Sequence, residues 1–89
     1  MIMVSKFLTV PNAQGFHMRP AAAFAAAMAK YPCNVTIKFN GNSYNAKSVL
    51  NLVAACMKCG SDIELVCDGE QEEAALAEGA KMIEDGFGE

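Results

Sequence analysis

Residues 15–21, GFHMRPA, bring together the side chains that phosphoryl transfer through a histidine requires. His17 is the only histidine of the chain, and a neutral imidazole nitrogen can act as a nucleophile toward phosphorus. Arg19 adds a permanently charged guanidinium whose fork matches phosphate oxygens. Gly15 allows a sharp turn before the histidine and removes a side chain that would crowd an incoming group. These residue types indicate a candidate phosphoryl-carrying site.

A helix that begins near His17 would strengthen this site. Proline is tolerated in the first helical turn, so a helix is predicted to start between His17 and Pro20. The first turn presents backbone N–H groups and the positive end of the helix dipole, which favour an anion beside His17. A simpler interpretation of the same residues is that His17 only caps the helix or lies on the surface.

Length and charge exclude several classes of protein. A chain of 89 residues suits one domain, here residues 1–89. Its net charge of −3, with the seven lysines and arginines scattered, argues against direct nucleic-acid binding. No apolar run approaches the roughly 18 residues of a membrane span, and no signal peptide is recognisable. A cytoplasmic protein without membrane insertion is therefore expected.

Hydrophobic patterning predicts seven elements. Strands are predicted over residues 4–10, 34–39 and 62–68, and Asn40-Gly41 predicts a hairpin into a further strand over residues 43–46. The first helix is predicted to run to about Lys30, a short helix to follow Ser48, and a final helix to begin in the acidic run Glu70–Glu73. The two longer helices carry apolar stripes, predicted to be Phe24, Met28 and Tyr31 in the first and Leu76, Ala80, Ile83 and Phe87 in the last.

This order of strand, helix, strand, strand, short helix, strand and helix predicts an α+β fold. A four-stranded antiparallel sheet has one face to bury, and three helices are enough to cover it. The predicted architecture is therefore an open-faced two-layer sandwich.

Ser48 precedes the predicted short helix, where a serine hydroxyl commonly caps the first turn. Capping alone explains its position. A phosphoserine there would also be tolerated at the helix start, and its charge would change how the adjacent apolar surface meets partners.

Four cysteines stand out in the composition, and two of them, Cys56 and Cys59, have C-x-x-C spacing. Such a pair can bind a metal or form a redox couple. No second ligand pair accompanies it, and it follows a short helix rather than opening one. The favoured interpretation of all four cysteines is small buried residues in a reducing compartment.

These residues together resemble the histidine-containing phosphocarrier (HPr) family of the bacterial phosphoenolpyruvate-dependent sugar phosphotransferase system. The first family signature is similar to residues 15–21, the hairpin glycine to Gly41, and the second signature to residues 46–48. The C-terminal residues 86–89 resemble the Gram-positive branch.

The resemblance implies that His17 accepts a phosphoryl group from phospho-enzyme I and passes it to IIA domains of sugar permeases, with Arg19 stabilising the phosphoryl oxygens. It implies that Ser48 is phosphorylated by an ATP-dependent HPr kinase/phosphorylase, which slows phosphorylation of His17 and promotes binding to a catabolite-control transcription factor. It also implies an apolar partner-docking patch, made of Phe16, Met18, Val49, Leu50 and Val53.

The chain has no Walker loop, metal-binding carboxylate cluster or second histidine, so a carrier without a cofactor or metal is expected, whose partners complete the chemistry. Phe16 and Met18 are larger than the family's usual residues, Asn51 stands where the Gram-positive branch commonly has glycine, and the loop before His17 is longer than usual. Two alternatives remain: an HPr-like regulatory module that acts by phosphorylation-dependent binding, and a thiol or metal protein that uses Cys56 and Cys59.

Overall fold

The computed structural model describes residues 3–88, which form a four-stranded antiparallel sheet and three helices. The element order and the open-faced α+β architecture are those predicted from the sequence. Along the chain the elements are β1 (Val4–Thr9), α1 (Met18–Met28), β2 (Asn34–Phe39), β3 (Asn42–Asn45), α2 (Val49–Ala54), β4 (Asp62–Asp68) and α3 (Glu72–Glu84), followed by a short 3₁₀ turn at Gly86–Gly88.

The sheet has the strand order β1-β4-β2-β3, so β4, the last of the four strands along the chain, lies inside the sheet between β1 and β2. The register pairs Leu8 with Ile63 and Ile37 with Leu65, and all four side chains are buried on one face. The residues between them face the other way, where Phe7 lies opposite Glu64 and is largely exposed. The alternation therefore leaves one face of the sheet open and the other covered by the helices.

The hairpin between β2 and β3 forms at the predicted dipeptide. Asn40 and Gly41 both have positive φ angles, 52° and 79°, as a two-residue type I′ connection requires. Strand β3 begins one residue earlier than predicted and ends before Ala46, which is buried.

The two apolar stripes are only partly as predicted. Phe24 and Met28 of α1 are fully buried, but the helix ends at Met28 and Tyr31 lies beyond it. In α3 the stripe is displaced toward smaller residues: Ala75, Gly79, Ala80 and Ile83 are buried, and Leu76 is half-buried. A Cβ at Gly79 would lie 2.8 Å from Leu65 Cδ2, so the helix approaches the sheet more closely than a larger residue allows.

Phe87 was predicted on the α3 stripe, and this prediction is wrong because the helix ends at Glu84. The Phe87 backbone is left-handed, with φ 58° within the 3₁₀ turn, and this conformation directs the ring back toward α1. Glu89, part of the C-terminal resemblance, lies outside the described residues. Within residues 3–88 no helix is long and apolar enough to cross a membrane.

Candidate functional site

His17 occupies the N-cap position of α1. Its backbone is extended (φ −83°, ψ −172°), and its carbonyl accepts a hydrogen bond from the Ala21 N–H at 3.0 Å. Its side chain makes no capping hydrogen bond and is partly exposed. The helix thus begins where it was predicted to begin, and the imidazole does not serve as its cap.

The first turn of α1 is electropositive. The turn holds no acidic residue, and its leading N–H groups point away from the helix toward the side on which His17 lies. Arg19 is exposed at the second helical position, and Pro20, which has no N–H, is buried at the third. A helix N-terminus and a guanidinium in the same turn are both groups that favour an anion.

The loop before His17 is shaped by a tight turn. The Gly15 N–H donates to the Asn12 carbonyl at 3.0 Å, and the Asn12 side-chain Nδ2 donates to the Gly15 carbonyl at 2.6 Å. Asn12 is buried, so this amide stabilises the loop from within. On its outer side, the loop and Arg19 line a depression of about 410 Å³.

Phe16, the residue before His17, points into the core and is only 3 % exposed. Its ring lies edge-on to Phe24, with centroids 5.5 Å apart, and to Phe87 at 4.6 Å. Phe16 was expected in the docking patch, but it has almost no surface to offer a partner. The reason is its larger size, since an aromatic ring at this position gains more from burial against two other rings than from exposure.

The backbone of Phe16 is held by a second segment of the chain. We call residues 56–61 the support segment. The Phe16 N–H donates to the Met57 carbonyl at 2.8 Å, and Met57 itself is 2 % exposed. Val10, the residue directly after β1, accepts a hydrogen bond from the Gly60 N–H at 2.8 Å and donates one to the Ser61 carbonyl at 2.9 Å. Both ends of the loop that leads to His17 therefore rest on the support segment.

Gly15 is required by this contact. Its φ angle is 66°, and a Cβ there would lie 2.3 Å from the Met57 carbonyl oxygen and 2.8 Å from Lys58 Cα. Sequence reasoning assigned Gly15 to the turn and to access for an incoming group. The structure adds a further reason for glycine at this position, its close approach to the support segment. No local sequence pattern predicts this contact, because Met57 is distant in sequence.

Ser48 is the N-cap of α2, as predicted. Its Oγ accepts hydrogen bonds from the Asn51 backbone N–H at 3.3 Å and from Asn51 Nδ2 at 3.2 Å. The Asn51 Oδ1 in turn accepts from the Asn45 N–H at 3.4 Å. Asn51, noted in the sequence only as a departure from glycine, thus ties Ser48 to the end of β3.

The other expected docking residues are Met18 at the start of α1 and three residues of α2, Val49 and Leu50 in its first turn and Val53 near its end. Met18 at the beginning of α1 is 59 % exposed, and Leu50 at the beginning of α2 is 78 % exposed. Val49 and Val53 are half-buried, and α1 packs against α2. Met18 and Leu50 are two of four large apolar residues exposed among those described. Apolar surface therefore lies near both His17 and Ser48 along the chain.

The cysteines form two classes, and all four are free thiols. Cys33 and Cys67 are buried. Desolvation is the main cause that raises the pKa of the Cys67 thiol to about 12, and the neighbouring Cys33 raises it further. Cys56 and Cys59 are exposed, so the interpretation of all four as buried residues is wrong for this pair. The pair follows α2, as predicted. Among residues 3–88 no group of three or more His, Cys, Asp and Glu side chains could hold a metal.

Comparison with known proteins connects this geometry to a family. The family model described as the HPr component phosphorylation site of the phosphotransferase system matches residues 4–85. The phosphocarrier protein HPr of Treponema pallidum is 34 % identical over 87 residues, which cover 98 % of this chain and 99 % of that protein. The HPr-like protein Crh of Bacillus subtilis is 29 % identical over 83 residues, covering 93 % and 98 %.

The solved structures show the same fold. HPr-C-His from Thermoanaerobacter tengcongensis matches with a TM-score of 0.90 and 29 % identity, covering all of this chain and 98 % of the other. An open-faced α+β sandwich with a histidine at the start of its first helix thus defines a class of small phosphocarrier domains. The chain belongs to the HPr family of the phosphotransferase system.

Replacement of Gly15 by alanine tests the contact with the support segment. Gly15→Ala and Gly41→Ala both place a side chain at positive φ, but only at Gly15 would the Cβ meet backbone atoms. We expect Gly15→Ala to lower the free energy of unfolding by about 2 kcal/mol more than Gly41→Ala, measured by urea titration. Equal losses would contradict the contact.

Replacement of Ser48 tests the cap. Ser48→Ala removes the acceptor used by Asn51 and is expected to cost about 1 kcal/mol of stability. Ser48→Asp keeps a capping oxygen at a helix start that favours negative charge, and is expected to be close to wild type. Thermal or urea unfolding of both variants measures this, and a loss in Ser48→Asp as large as in Ser48→Ala would exclude capping as the cause.

Proposed function

We propose that the chain is a cytoplasmic phosphocarrier that accepts a phosphoryl group on His17 from phospho-enzyme I and donates it to IIA domains of sugar permeases. One observation carries the proposal: the chain's single histidine lies at the N-terminus of α1, is not used as the cap, and has Arg19 two residues on. Membership of the HPr family supports it. The whole chain then works as one carrier unit without a cofactor or metal of its own.

The chemistry is an exchange of a phosphoryl group between nitrogen atoms. The His17 ring nitrogen nearer the backbone, Nδ1, forms a bond to phosphorus as the bond between phosphorus and the donor's nitrogen breaks. Transfer to a IIA domain repeats the step in the opposite direction, so no water is consumed. The transferred group carries negative charge throughout, and the N–H groups of α1 and the Arg19 guanidinium stabilise it.

The contacts of the His17 loop explain how a small chain can hold this group in place. The rings of Phe24 and Phe87 and the Met57 carbonyl hold Phe16 in place. The buried Asn12 amide stabilises the turn before it. Only the side chain of His17 then needs to adapt to a partner. Accurate placement of a reacting group reduces the entropic cost of transfer.

Partner docking is assigned to the exposed apolar side chains at the starts of α1 and α2. Met18 and Leu50 form its exposed part, and Val49 and Val53 extend it where they are half-buried. Apolar residues ringed by polar surface are typical of protein contact sites. Phe16 contributes to this surface only by holding the loop from beneath.

Ser48 is the proposed regulatory site. Phosphorylation by an HPr kinase/phosphorylase would place negative charge next to Val49 and Leu50, on the proposed docking surface, and would oppose docking of enzyme I. The Asn51 N–H and Nδ2 that hold the Ser48 hydroxyl are donors that a phosphate can use. The same phosphoserine is the proposed recognition feature for a catabolite-control transcription factor.

The alternative is a purely regulatory module, and the similarity to Crh, described as the catabolite repression HPr of Bacillus subtilis, is the observation in its support. The two functions differ in what happens after phosphorylation. A carrier passes its phosphoryl group on to a IIA domain, whereas a regulatory module only changes its binding partners. The presence of His17 in an electropositive first turn favours the carrier.

Incubation with phosphoenolpyruvate, Mg²⁺ and enzyme I tests the carrier function. The wild-type protein is expected to gain one acid-labile phosphoryl group, detected by intact mass before and after mild acid, because phosphorus bonded to nitrogen hydrolyses readily in acid. His17→Ala should gain none, and Ser48→Ala should gain it normally. Absence of any gain with enzyme I active on another HPr would overturn the proposal, and failure to pass the group to a IIA domain would favour the regulatory module.

Arg19 is expected to act on the rate of transfer. Arg19→Gln removes the charge that faces the phosphoryl oxygens, and phosphorylation of His17 should slow by about tenfold. Arg19→Lys keeps the charge but loses the fork, so an intermediate rate is expected. Single-turnover transfer from phospho-enzyme I measures both variants. Since Arg19 is exposed, urea unfolding should show little change, and a wild-type rate in Arg19→Gln would contradict this role.

A further inference from the structure

Cys56 and Cys59 are two exposed thiols that the carrier chemistry does not use. They differ from Cys33 and Cys67, which are buried in the core and closed to reagents. Exposed thiols that lie three positions apart are the arrangement found in dithiols that undergo exchange with disulfides.

The two residues between the cysteines are the ones that hold the His17 loop. The Met57 carbonyl accepts the hydrogen bond from the Phe16 N–H at 2.8 Å, and Lys58 Cα lies where Gly15 has no side chain. A change in the backbone between Cys56 and Cys59 would therefore alter the contacts of Gly15 and Phe16, the two residues that precede His17.

The two cysteines are also part of this structure: Cys59 contacts the loop before His17, and the chain turns at Cys56. The Cys59 thiol lies 3.7 Å from the Pro11 carbonyl and donates a hydrogen bond to the first residue of the loop that leads to His17. Cys56 has a left-handed backbone, with φ 55°, where the chain leaves α2. A turn closed by the Ser61 N–H on the Lys58 carbonyl, at 2.9 Å, follows directly. The chain thus changes direction at both ends of the pair.

We propose that Cys56 and Cys59 are a thiol-disulfide exchange site for small-molecule disulfides such as oxidised glutathione, and that closing their disulfide slows phosphoryl transfer at His17. The second part rests on the proposed carrier function. The first part is independent of it.

Oxidised glutathione is the oxidant in this exchange and accepts the two electrons that the protein thiols lose. The thiolate of one cysteine attacks a sulfur of oxidised glutathione, one glutathione leaves as thiolate, and a mixed disulfide forms. The second cysteine, as thiolate, attacks the protein sulfur of that mixed disulfide and releases the second glutathione. The protein pair loses two electrons and two protons, and the glutathione disulfide gains them as two thiols.

Closing the disulfide changes the support of the loop in two ways. The Cys59 thiol loses its hydrogen and can no longer donate to the Pro11 carbonyl. The ring that forms also constrains Met57 and Lys58, whose present backbone positions receive Phe16 and Gly15. Because coupling between two sites is reciprocal, a phosphoryl group on His17 would in turn change how readily the dithiol is oxidised.

A glutathione redox series with the full chain tests the exchange. We expect the wild-type protein to lose two hydrogen atoms, seen by intact mass, and to carry no glutathione adduct at the end of the reaction. Cys56→Ser and Cys59→Ser should each stop at a single glutathione adduct. Alkylation without denaturant should label two thiols in the reduced wild-type protein and none in the oxidised one. Persistent adducts on the wild-type protein, or no reaction at all, would overturn the site.

The coupling has its own measurements. In the oxidised protein the amide resonances of Gly15 and Phe16 should shift, and transfer from phospho-enzyme I to His17 should slow by about tenfold, with recovery on reduction. The serine variants, treated in the same way, should show neither an intramolecular disulfide nor its amide shifts. Unchanged amides or an unchanged transfer rate in the oxidised protein would overturn the coupling.

Failure of the carrier function is recognised separately. If it were wrong, the reduced protein would also remain unphosphorylated, while the disulfide and the Phe16 amide shift would still be measurable. The reduced wild-type protein is thus the reference for both parts of the experiment.

Discussion

The hydrogen bond from the Phe16 N–H to the Met57 carbonyl is the interaction on which the site depends. Phe16 precedes His17, so whatever holds Phe16 also sets where the imidazole lies. The backbone is held by the support segment, and the ring is held by Phe24 and Phe87. Three parts of the chain that are far apart in sequence thus meet at one residue. Its burial contributes on the order of 2–3 kcal/mol, a large share of the stability of a small fold.

This arrangement divides the work between rigid and exposed groups. The residues next to the histidine on its N-terminal side are buried and hydrogen-bonded, whereas Met18 and Arg19 on its C-terminal side are exposed. The proposed carrier function requires the His17 ring to meet more than one partner, and this arrangement suits it, because the ring is placed from within the fold while the exposed side chains remain available for recognition. The same division is found at α2, where Ser48 is fixed by Asn51 and Leu50 is exposed.

Much of the fold could be predicted from the sequence because its signals are local. The hairpin at Asn40-Gly41, the cap at Ser48 and the start of α1 near Pro20 each depend on residues within a few positions of one another. The candidate site residues His17, Arg19 and Ser48 stand in or beside such signals, although their chemical roles stay predictions. The alternation in β2 and β4 also gave the buried face correctly.

The rest depends on contacts between distant residues, which a single sequence does not display. From the sequence Phe16 is predicted to be a docking residue, but in the structure Phe24 and Phe87 enclose its ring. The left-handed backbone at Phe87 is unfavourable for this residue type, and tertiary packing overrides the local preference. Cys56 and Cys59 are as apolar as Cys33 and Cys67, and only the three-dimensional arrangement separates exposed thiols from buried ones.

The strand order has a consequence for how the molecule assembles. β4 is late in the chain but central in the sheet, so β1 has no strand partner until β4 has joined. His17 follows β1, and its support segment immediately precedes β4. The N-terminal half therefore contains His17 without the segment that holds the residue before it. Such non-local pairing gives high contact order, and His17 reaches its final position in the same cooperative step that completes the sheet.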